Sequence, residues 1–188
     1  MNVLTLNLDS VHLTDEQFWQ LCQRNRGWQF ELTATGELII MAPVGGESGN
    51  QEAGLITDVE IWNRQTGLGY VFSSSTIFKL PNGANRSPDV AWIQKDRWEA
   101  LTPEQRRKFP PISPDFVIEL RSATDPLEPL QLKLQEYIEN GVRLGWLVNP
   151  QNQQVEIYRP DQPVEVRALP TKLSGEQVLP GFLLPLAI

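Results

Sequence analysis

The segment from Phe116 to Val148 constrains the fold more than any other part of the chain. An apolar run at residues 116–120 is followed by an amphipathic stretch from about Pro126 to Asn140, and a second apolar run lies at 144–148. Two buried strands joined by a helix are typical of a crossover unit in which the strands run parallel. The order therefore predicts an α/β fold, with a mixed β-sheet flanked by helices.

Two further helices are indicated on the N-terminal side of this unit. A capping-box pattern at Thr14 and Gln17 opens the first, and the single cysteine, Cys22, falls within it as an expected small buried hydrophobe. The second is expected to end at Gly67, because glycine is the usual stop residue after a helix. Its apolar stripe consists of Ile56, Val59 and Trp62. The glycine-rich stretch 43–49 before it is predicted to be a loop.

Candidate strands occupy the remaining apolar runs. The runs at 28–32 and 38–41 are separated by a turn and predict a hairpin. The others are residues 70–72, 76–80, 90–93, 155–158 and 164–166, of which the last two predict a C-terminal hairpin. A charged insertion at 94–113 interrupts the strands and is expected to lie on the surface, with a short helix opening at Thr102 and Pro103.

The length of 188 residues fits one domain. We expect an N-terminal helix and hairpin at 14–42, a core at about 43–150, and a C-terminal hairpin and tail at 151–188. No apolar run approaches the roughly 20 residues of a membrane span, and the N-terminus lacks a basic segment leading into an apolar one. These features predict a cytoplasmic protein that does not contact the membrane.

The net charge of −7 argues against strong non-specific binding to nucleic acid, because such binding needs a broadly basic surface. Any contact with nucleic acid would have to be local. The densest basic segment runs from Lys95 to Lys108 and includes Arg106 and Arg107. It is either a solvated loop face or a site of phosphate contact.

Two carboxylates stand at the ends of apolar runs. Asp89 opens the run 90–93, and Glu119 follows Phe116, Val117 and Ile118. Carboxylates at the ends of buried strands are costly unless a cation meets them. On neighbouring strands, about 5 Å apart, the two could bind one ion, and Mg²⁺ suits hard oxygen ligands best. One histidine and one cysteine cannot build the usual zinc site.

Two cations accompany these carboxylates. Lys133 flanks the apolar stripe of the helix at 126–140, so it either extends along the core to water or reaches Asp89 and Glu119. There it could orient a water or stabilise negative charge developing on a phosphate. Arg121, two residues after Glu119, is expected on the same face of the sheet and could hold a phosphate, although it could hardly act as a base.

These residues resemble a known motif. Asp89 in Ser-Pro-Asp-Val, followed by Glu119-Leu120-Arg121, is similar to the PD-(D/E)XK nuclease motif, in which two acidic residues bind Mg²⁺ and a lysine assists. The ordered stretches GELIIMAPVGGESGN, SPDVAWI, PDFVIELRS and LKLQEYIENGVRLGWLVNP resemble the Uma-two family of proposed restriction endonucleases. The resemblance runs from about Phe18 to Tyr158 and implies a restriction endonuclease-like fold.

The resemblance also implies roles for individual residues. Arg121 stands where the superfamily has its lysine, and Lys133 matches the lysine that this family carries on the following helix. Asp89 and Glu119 would then be the metal ligands and Lys133 the catalytic cation. The helix after the glycine-rich stretch can add another acidic or polar group. The candidates are Glu47, Asn50 and Glu52, and the family often has histidine at the position of Asn50.

The sequence thus predicts an endonuclease that uses Mg²⁺, or Mn²⁺ in its place, to hydrolyse phosphodiester bonds, with DNA as the expected partner. A catalytically inactive interaction or nucleic-acid-binding module on the same scaffold is the alternative, and an RNA-directed phosphodiesterase is a third reading. Because cutting both strands of a duplex usually needs two sites, a homodimer is also considered. The apolar tail from Val178 to Ile188 would pack on the core or on a partner.

Overall fold

The computed structural model describes residues 3–8 and 10–187. The helices in these residues are α1 (Asp15–Arg24), α2 (Gly46–Thr66), α3 (Lys95–Glu99), α4 (Pro103–Arg107), α5 (Leu127–Glu139) and a 3₁₀ turn at Pro150–Asn152. The strands are β1 (Val3–Asn7), β2 (Gln29–Leu32), β3 (Glu37–Met41), β4 (Gly69–Ser73), β5 (Phe78–Lys79), β6 (Asn85–Arg86), β7 (Val90–Gln94), β8 (Phe116–Leu120), β9 (Leu144–Asn149), β10 (Gln154–Tyr158), β11 (Glu165–Ala168), β12 (Thr171–Ser174) and β13 (Leu183–Leu186). None of these helices has the length and apolar character needed to cross a bilayer.

A six-stranded sheet is the centre of the fold, in the order β11-β10-β9-β8-β7-β4. Strands β8 and β9 run parallel, with Phe116 opposite Leu144 and Leu120 opposite Val148, and α5 joins them. The other neighbouring strands in this sheet pair antiparallel. The predicted crossover and the predicted mixed α/β fold flanked by helices are therefore confirmed.

Alternation along β8 divides the core into two layers. Phe116, Ile118 and Leu120 pack in one layer with α2 and the C-terminal segment. Val117 faces the other layer, which is closed by α5. Because side chains two residues apart in a strand share a face, Glu119 points with Val117 toward α5.

The start of α2 corrects the predicted loop at 43–49. Gly45 has extended backbone angles, the helix begins at Gly46, and the Gly49 N–H donates to the Gly45 carbonyl at 3.0 Å. Glycine is a poor helix former, but the inner stripe of this long helix is buried against the sheet, and tertiary packing provides most of the stability of a helix. The buried members of that stripe are Leu55, Val59, Trp62 and Asn63.

A second sheet, in the order β1-β3-β2-β6-β5, contains the predicted N-terminal hairpin. The predicted strand at 76–80 is shorter than expected, and β1, β6, β12 and β13 have no counterpart in the predictions. Pairing of Leu32 with Asn85 joins β2 to β6. This junction places the end of the first hairpin beside the segment that leads into β7.

The C-terminal tail packs on the core, one of the two expected arrangements. Phe182, Leu184 and Leu186 are each less than 5% exposed and lie in the same layer as α2. Ile188, the last residue of the predicted tail, lies outside the described residues. Cys22 is half-buried, and burial raises the pKa of its thiol to about 11, which fits a packing role.

Two glycines provide opposite tests of the packing. A Cβ at Gly69 would clash with the Ile93 carbonyl oxygen and lie 2.5 Å from Trp92 Cε2, whereas a Cβ at Gly54 on the exposed side of α2 would meet nothing within 4 Å. We expect Gly69→Ala to lower the free energy of unfolding by about 1–3 kcal/mol. Gly54→Ala should raise it by about 0.8–1 kcal/mol. Urea unfolding of the two variants measures both values, and equal effects would contradict the close packing at Gly69.

Candidate active site

The two predicted carboxylates lie side by side on neighbouring strands. Val90 pairs with Ile118 in the antiparallel register of β7 and β8, so Asp89 falls opposite Glu119. The Leu120 N–H donates to Asp89 Oδ2 at 2.7 Å, which fixes the aspartate against the adjacent strand. The register of the central sheet therefore brings together two residues that are thirty positions apart in sequence.

Helix α5 brings Lys133 to this point. Lys133 Nζ lies 2.8 Å from Glu119 Oε1, and the Tyr137 hydroxyl donates to the same oxygen at 3.1 Å. Lys133 and Tyr137 are four residues apart, so both project from one face of the helix. Glu119 is 3% exposed, and the three side chains form a buried cluster between β8 and α5.

A third carboxylate, from the second sheet, completes the cluster. Glu31 on β2 is 2% exposed, and its Oε1 lies 2.8 Å from Lys133 Nζ. The Ser87 N–H donates to Glu31 Oε1 at 2.8 Å, and Lys133 also donates to the Ser87 carbonyl at 3.3 Å. Lys133 therefore bridges Glu31 and Glu119, and the alternative in which it extends into water does not occur.

Glu31 is held from its other side by Arg86. Arg86 Nη1 lies 3.0 Å from Glu31 Oε2, and Arg86 Nε lies 2.5 Å from Glu136 Oε2. Sequence reasoning missed Glu31 and Arg86. The only signal for Glu31 was a carboxylate between two apolar residues of a predicted strand, Phe30 and Leu32, which is equally typical of a strand with one solvated face.

The charges in the cluster follow from burial and from these partners. Burial and the charge of Glu119 raise the pKa of Asp89 well above its usual value, although Lys133 opposes the shift. Burial also raises the pKa of Glu119. For Glu31 burial acts in the same direction, but the cations Lys133 and Arg86 outweigh it and lower its pKa. Burial disfavours the charge on Lys133, yet the two glutamates raise its pKa, so the lysine stays protonated.

The predicted accessory residues on α2 separate into two positions. Glu52 lies on the inner side of the helix, lines the cleft that contains Asp89, and accepts a 2.5 Å hydrogen bond from the Ser74 hydroxyl. Glu47 is exposed and lines a neighbouring cavity near Ser122, while Asn50 is exposed. Of the three, the structure brings only Glu52 to the cleft of Asp89 within the residues described.

Arg121 lies beyond the end of β8 and bonds away from the cluster. Its Nε donates to the Asp125 carbonyl at 2.9 Å, and its Nη1 donates to Asn149 Oδ1 at 3.3 Å and to Asn152 Oδ1 at 3.0 Å. These bonds tie the loop after β8 to the end of β9. The structure does not bring Arg121 together with Glu119 and Lys133, and its expected phosphate contact stays a prediction.

The carboxylate oxygens present fit a hard divalent cation. Asp89 Oδ1 and Glu119 Oε2 make no hydrogen bond or ion pair with any other described residue, and burial disfavours the negative charge on both side chains. Across residues 3–8 and 10–187, no group of three or more His, Cys, Asp or Glu side chains is arranged to hold a metal. Two carboxylates suffice for Mg²⁺, which usually keeps several waters and takes its remaining ligands from substrate phosphates.

A cleft of about 410 Å³ opens in front of Asp89. Its walls come from the start of β2, the end of β3, α2 and the turn after β4. The side chains along it include Arg26, Trp28, Val44, Glu52 and Ser74. The candidate site is therefore reachable from solvent on the side of Asp89, while Glu31 and Lys133 do not line this cleft.

The chain is similar to known proteins over nearly its whole length. The family model described as "Uma2: Putative restriction endonuclease" matches residues 15–187. Among solved structures, it is similar to the crystal structure of "a putative nuclease belonging to DUF820" from Anabaena variabilis ATCC 29413. The two chains are 18% identical, the alignment covers 89% of this chain and 92% of the other, and the TM-score is 0.73. That likeness shows a shared fold. No curated protein matches the chain.

Proposed function

Because the chain belongs to the Uma2 family, described as putative restriction endonucleases, we propose that it is a Mg²⁺-dependent endonuclease that hydrolyses phosphodiester bonds in DNA. One observation carries the proposal: Lys133 is held between two buried glutamates, and one of them, Glu119, lies opposite an aspartate that opens onto a cleft. A cation fixed next to paired carboxylates is suited to phosphoryl chemistry, in which positioning and charge stabilisation do most of the catalysis.

Asp89 Oδ1 and Glu119 Oε2 are the oxygens that would hold Mg²⁺, or Mn²⁺ in its place. When bound, such an ion would polarise the scissile phosphate and lower the pKa of a coordinated water. The protein's own contribution is to keep both carboxylates in position. The Leu120 N–H orients Asp89, and Tyr137 with Lys133 orients Glu119.

Lys133 acts in this proposal as a fixed positive charge. Its raised pKa keeps it protonated, so it would stabilise the negative charge that develops on the phosphorane and would not serve as a general base. Glu31 positions the ammonium group and, through Arg86, ties it to the second sheet. Glu52 would supply a further acidic group at the edge of the cleft.

Arg121 is assigned a structural role, because its guanidinium already bonds to the ends of two loops. Cutting both strands of a duplex would need two catalytic sites, so a homodimer is expected if the substrate is cut in that way. The expected cytoplasmic location is part of the proposal. Sedimentation with and without a DNA duplex measures the oligomeric state.

A catalytically inactive binding module is the competing function, favoured by the acidic net charge of −7 and by arginine at position 121. Calorimetric titration with Mg²⁺ or Mn²⁺ separates the two. We expect the wild-type protein to bind the ion and Asp89→Ala to bind at least about tenfold more weakly, because one of two carboxylate ligands is lost. Equal binding by both proteins would favour the inactive module.

Cleavage assays then identify the substrate. Plasmid DNA, a short duplex, single-stranded DNA and single-stranded RNA are each incubated with the protein and Mg²⁺. Products that depend on both Mg²⁺ and Asp89 support the endonuclease, and preference for the RNA would make it an RNA-directed phosphodiesterase. Metal binding without cleavage of any of the four substrates would count against hydrolysis.

A further inference from the structure

The cleft in front of Asp89 contains an exposed tryptophan that the proposed chemistry does not use. Trp28 is 53% exposed and lines this cleft. The other five tryptophans of the chain are buried or half-buried. A large aromatic ring left in solvent beside a candidate active site is typical of a surface that binds a partner or a substrate.

The position of Trp28 is fixed relative to the catalytic cluster. Its backbone N–H donates to the Asn25 carbonyl at 3.0 Å, closing the turn between α1 and β2. The next residue, Gln29, begins β2 and donates a hydrogen bond to the Ser74 carbonyl at 3.4 Å. Glu31, which holds Lys133, lies on the same strand. Trp28 therefore directly precedes the strand that positions Lys133.

Arg26 stands at the same wall of the cleft. It is the only Lys or Arg among the side chains that line this cavity, and it also lines the adjoining one of about 240 Å³. Its guanidinium bonds to the carbonyl and side-chain oxygens of Gln23, at 3.3 and 3.2 Å, and forms no ion pair with another described residue. An anion could therefore approach Arg26 without displacing a carboxylate.

We infer that Trp28 and Arg26 form a nucleotide subsite, in which an unpaired nucleobase stacks on Trp28 while a neighbouring phosphate contacts Arg26. The inference rests on the proposed function, because it places this nucleotide next to the phosphate that is cut at Asp89. Stacking on a protein ring requires a base with a free face, which the bases inside a duplex lack. The substrate class is thus single-stranded or locally unpaired nucleic acid, and the stacking contact itself is common to DNA and RNA.

Binding of short labelled oligonucleotides tests this subsite. Oligothymidylate and oligouridylate of about 15 nucleotides, and a duplex of equal length, are titrated by fluorescence anisotropy with Ca²⁺ in place of Mg²⁺. We expect Trp28→Leu to bind the two single strands about 5–150-fold more weakly and the duplex nearly as well as the wild type. Trp28→Phe should keep most of the affinity, because phenylalanine retains a stacking face.

The charge of Arg26 is tested with a matched control. Arg26→Gln should weaken binding of single strands and reduce the slope of log affinity against log salt by about one. Arg64→Gln removes the same charge from an exposed position near the C-terminal end of α2, among residues that do not line the cleft, and should leave the slope unchanged. Equal slopes for the two variants would overturn the assignment of Arg26.

Different experimental results would contradict the nucleotide subsite and the proposed hydrolysis. If Trp28→Leu binds both single strands as tightly as the wild type, the subsite is wrong, whatever the protein cleaves. If Trp28→Leu loses single-strand binding while the wild type cleaves nothing, the subsite stands and the endonuclease proposal fails. The circular dichroism spectra of wild type and Trp28→Leu should be equal, and retained binding by Trp28→Phe should show that a loss in Trp28→Leu comes from the missing ring and not from a damaged fold.

Discussion

Replacement of Lys133 by methionine is expected to lower the free energy of unfolding by about 3–5 kcal/mol. Lys133 Nζ lies 2.8 Å from both Glu31 Oε1 and Glu119 Oε1, and both glutamates are at most 3% exposed. Methionine fills a similar volume but leaves two buried carboxylates without their shared cation. Urea unfolding in EDTA measures the loss.

The same substitution should reduce cleavage by about 10²–10³-fold or more, because it removes the positive charge that is proposed to stabilise the reacting phosphate. A second variant separates this effect from instability. Glu31→Gln combined with Lys133→Met removes two groups that interact directly, so the double variant should lose less stability than the two single variants added together while activity stays low. Recovery of both stability and cleavage in the double variant would contradict a catalytic role for Lys133.

Asp89→Asn is expected to cut activity by at least about 10³-fold and yet to stabilise the metal-free protein. The loss follows from removing a ligand of the proposed ion, whose contribution is several kcal/mol of charge stabilisation. Asparagine keeps an oxygen that can accept the Leu120 N–H bond, and it removes a negative charge opposite Glu119. The stabilisation should be about 0.5–2 kcal/mol, as for other substitutions that relieve a strained functional site.

The stability gain of Asp89→Asn should depend on pH. Burial and the charge of Glu119 raise the pKa of Asp89 in the folded protein, so folding favours the protonated carboxyl. Below the ordinary aspartate pKa of about 3.9 the carboxyl is neutral in both the folded and unfolded states, and the substitution should gain little from charge removal. As pH rises, Asp89 ionises at lower pH in the unfolded wild type than in the folded wild type, which lowers the stability of the wild type. The difference in stability between Asp89→Asn and the wild type therefore increases.

Thermal melts of both proteins in EDTA, from below the ordinary aspartate pKa to neutrality, show whether the stability gain of Asp89→Asn increases with pH. A gap that narrows with rising pH, or an Asp89→Asn protein that melts lower than the wild type near neutrality, would mean that Asp89 is not under electrostatic strain. Glu31→Gln is the comparison variant. The cations Lys133 and Arg86 lower the pKa of Glu31, so folding favours its charged form and the substitution should lose stability where Asp89→Asn gains it.

The parts of the fold that sequence could predict are those set by local pattern. The crossover from β8 through α5 to β9 follows from two apolar runs and an amphipathic stripe between them, both of which are visible within a short stretch of sequence. The start of α2 was predicted wrongly because that prediction, too, used only the local sequence pattern. The glycines at 45 and 46 disfavour a helix locally, and burial of its inner face against distant strands outweighs that preference.

The candidate site was predictable from sequence for the residues that lie at the ends of apolar runs or beside an amphipathic stripe. Asp89 and Glu119 each border an apolar run, and Lys133 flanks an amphipathic stripe, so their types and spacing pointed to the cluster that the structure brings together. Glu31 was not predictable in this way. The role of Glu31 depends on its ion pairs with Arg86 and Lys133. The pairing of β2 with β6 is a long-range contact, so no short stretch of sequence shows it.

Diffraction from a crystal soaked in Mn²⁺, measured at the manganese absorption edge, tests the central claim most directly. We expect one anomalous peak between Asp89 and Glu119, about 2 Å from an oxygen of each, with Lys133 Nζ still against Glu119. The peak should disappear in Asp89→Asn crystals soaked in the same way. Manganese bound elsewhere, with none between these two carboxylates, would contradict the metal-dependent mechanism.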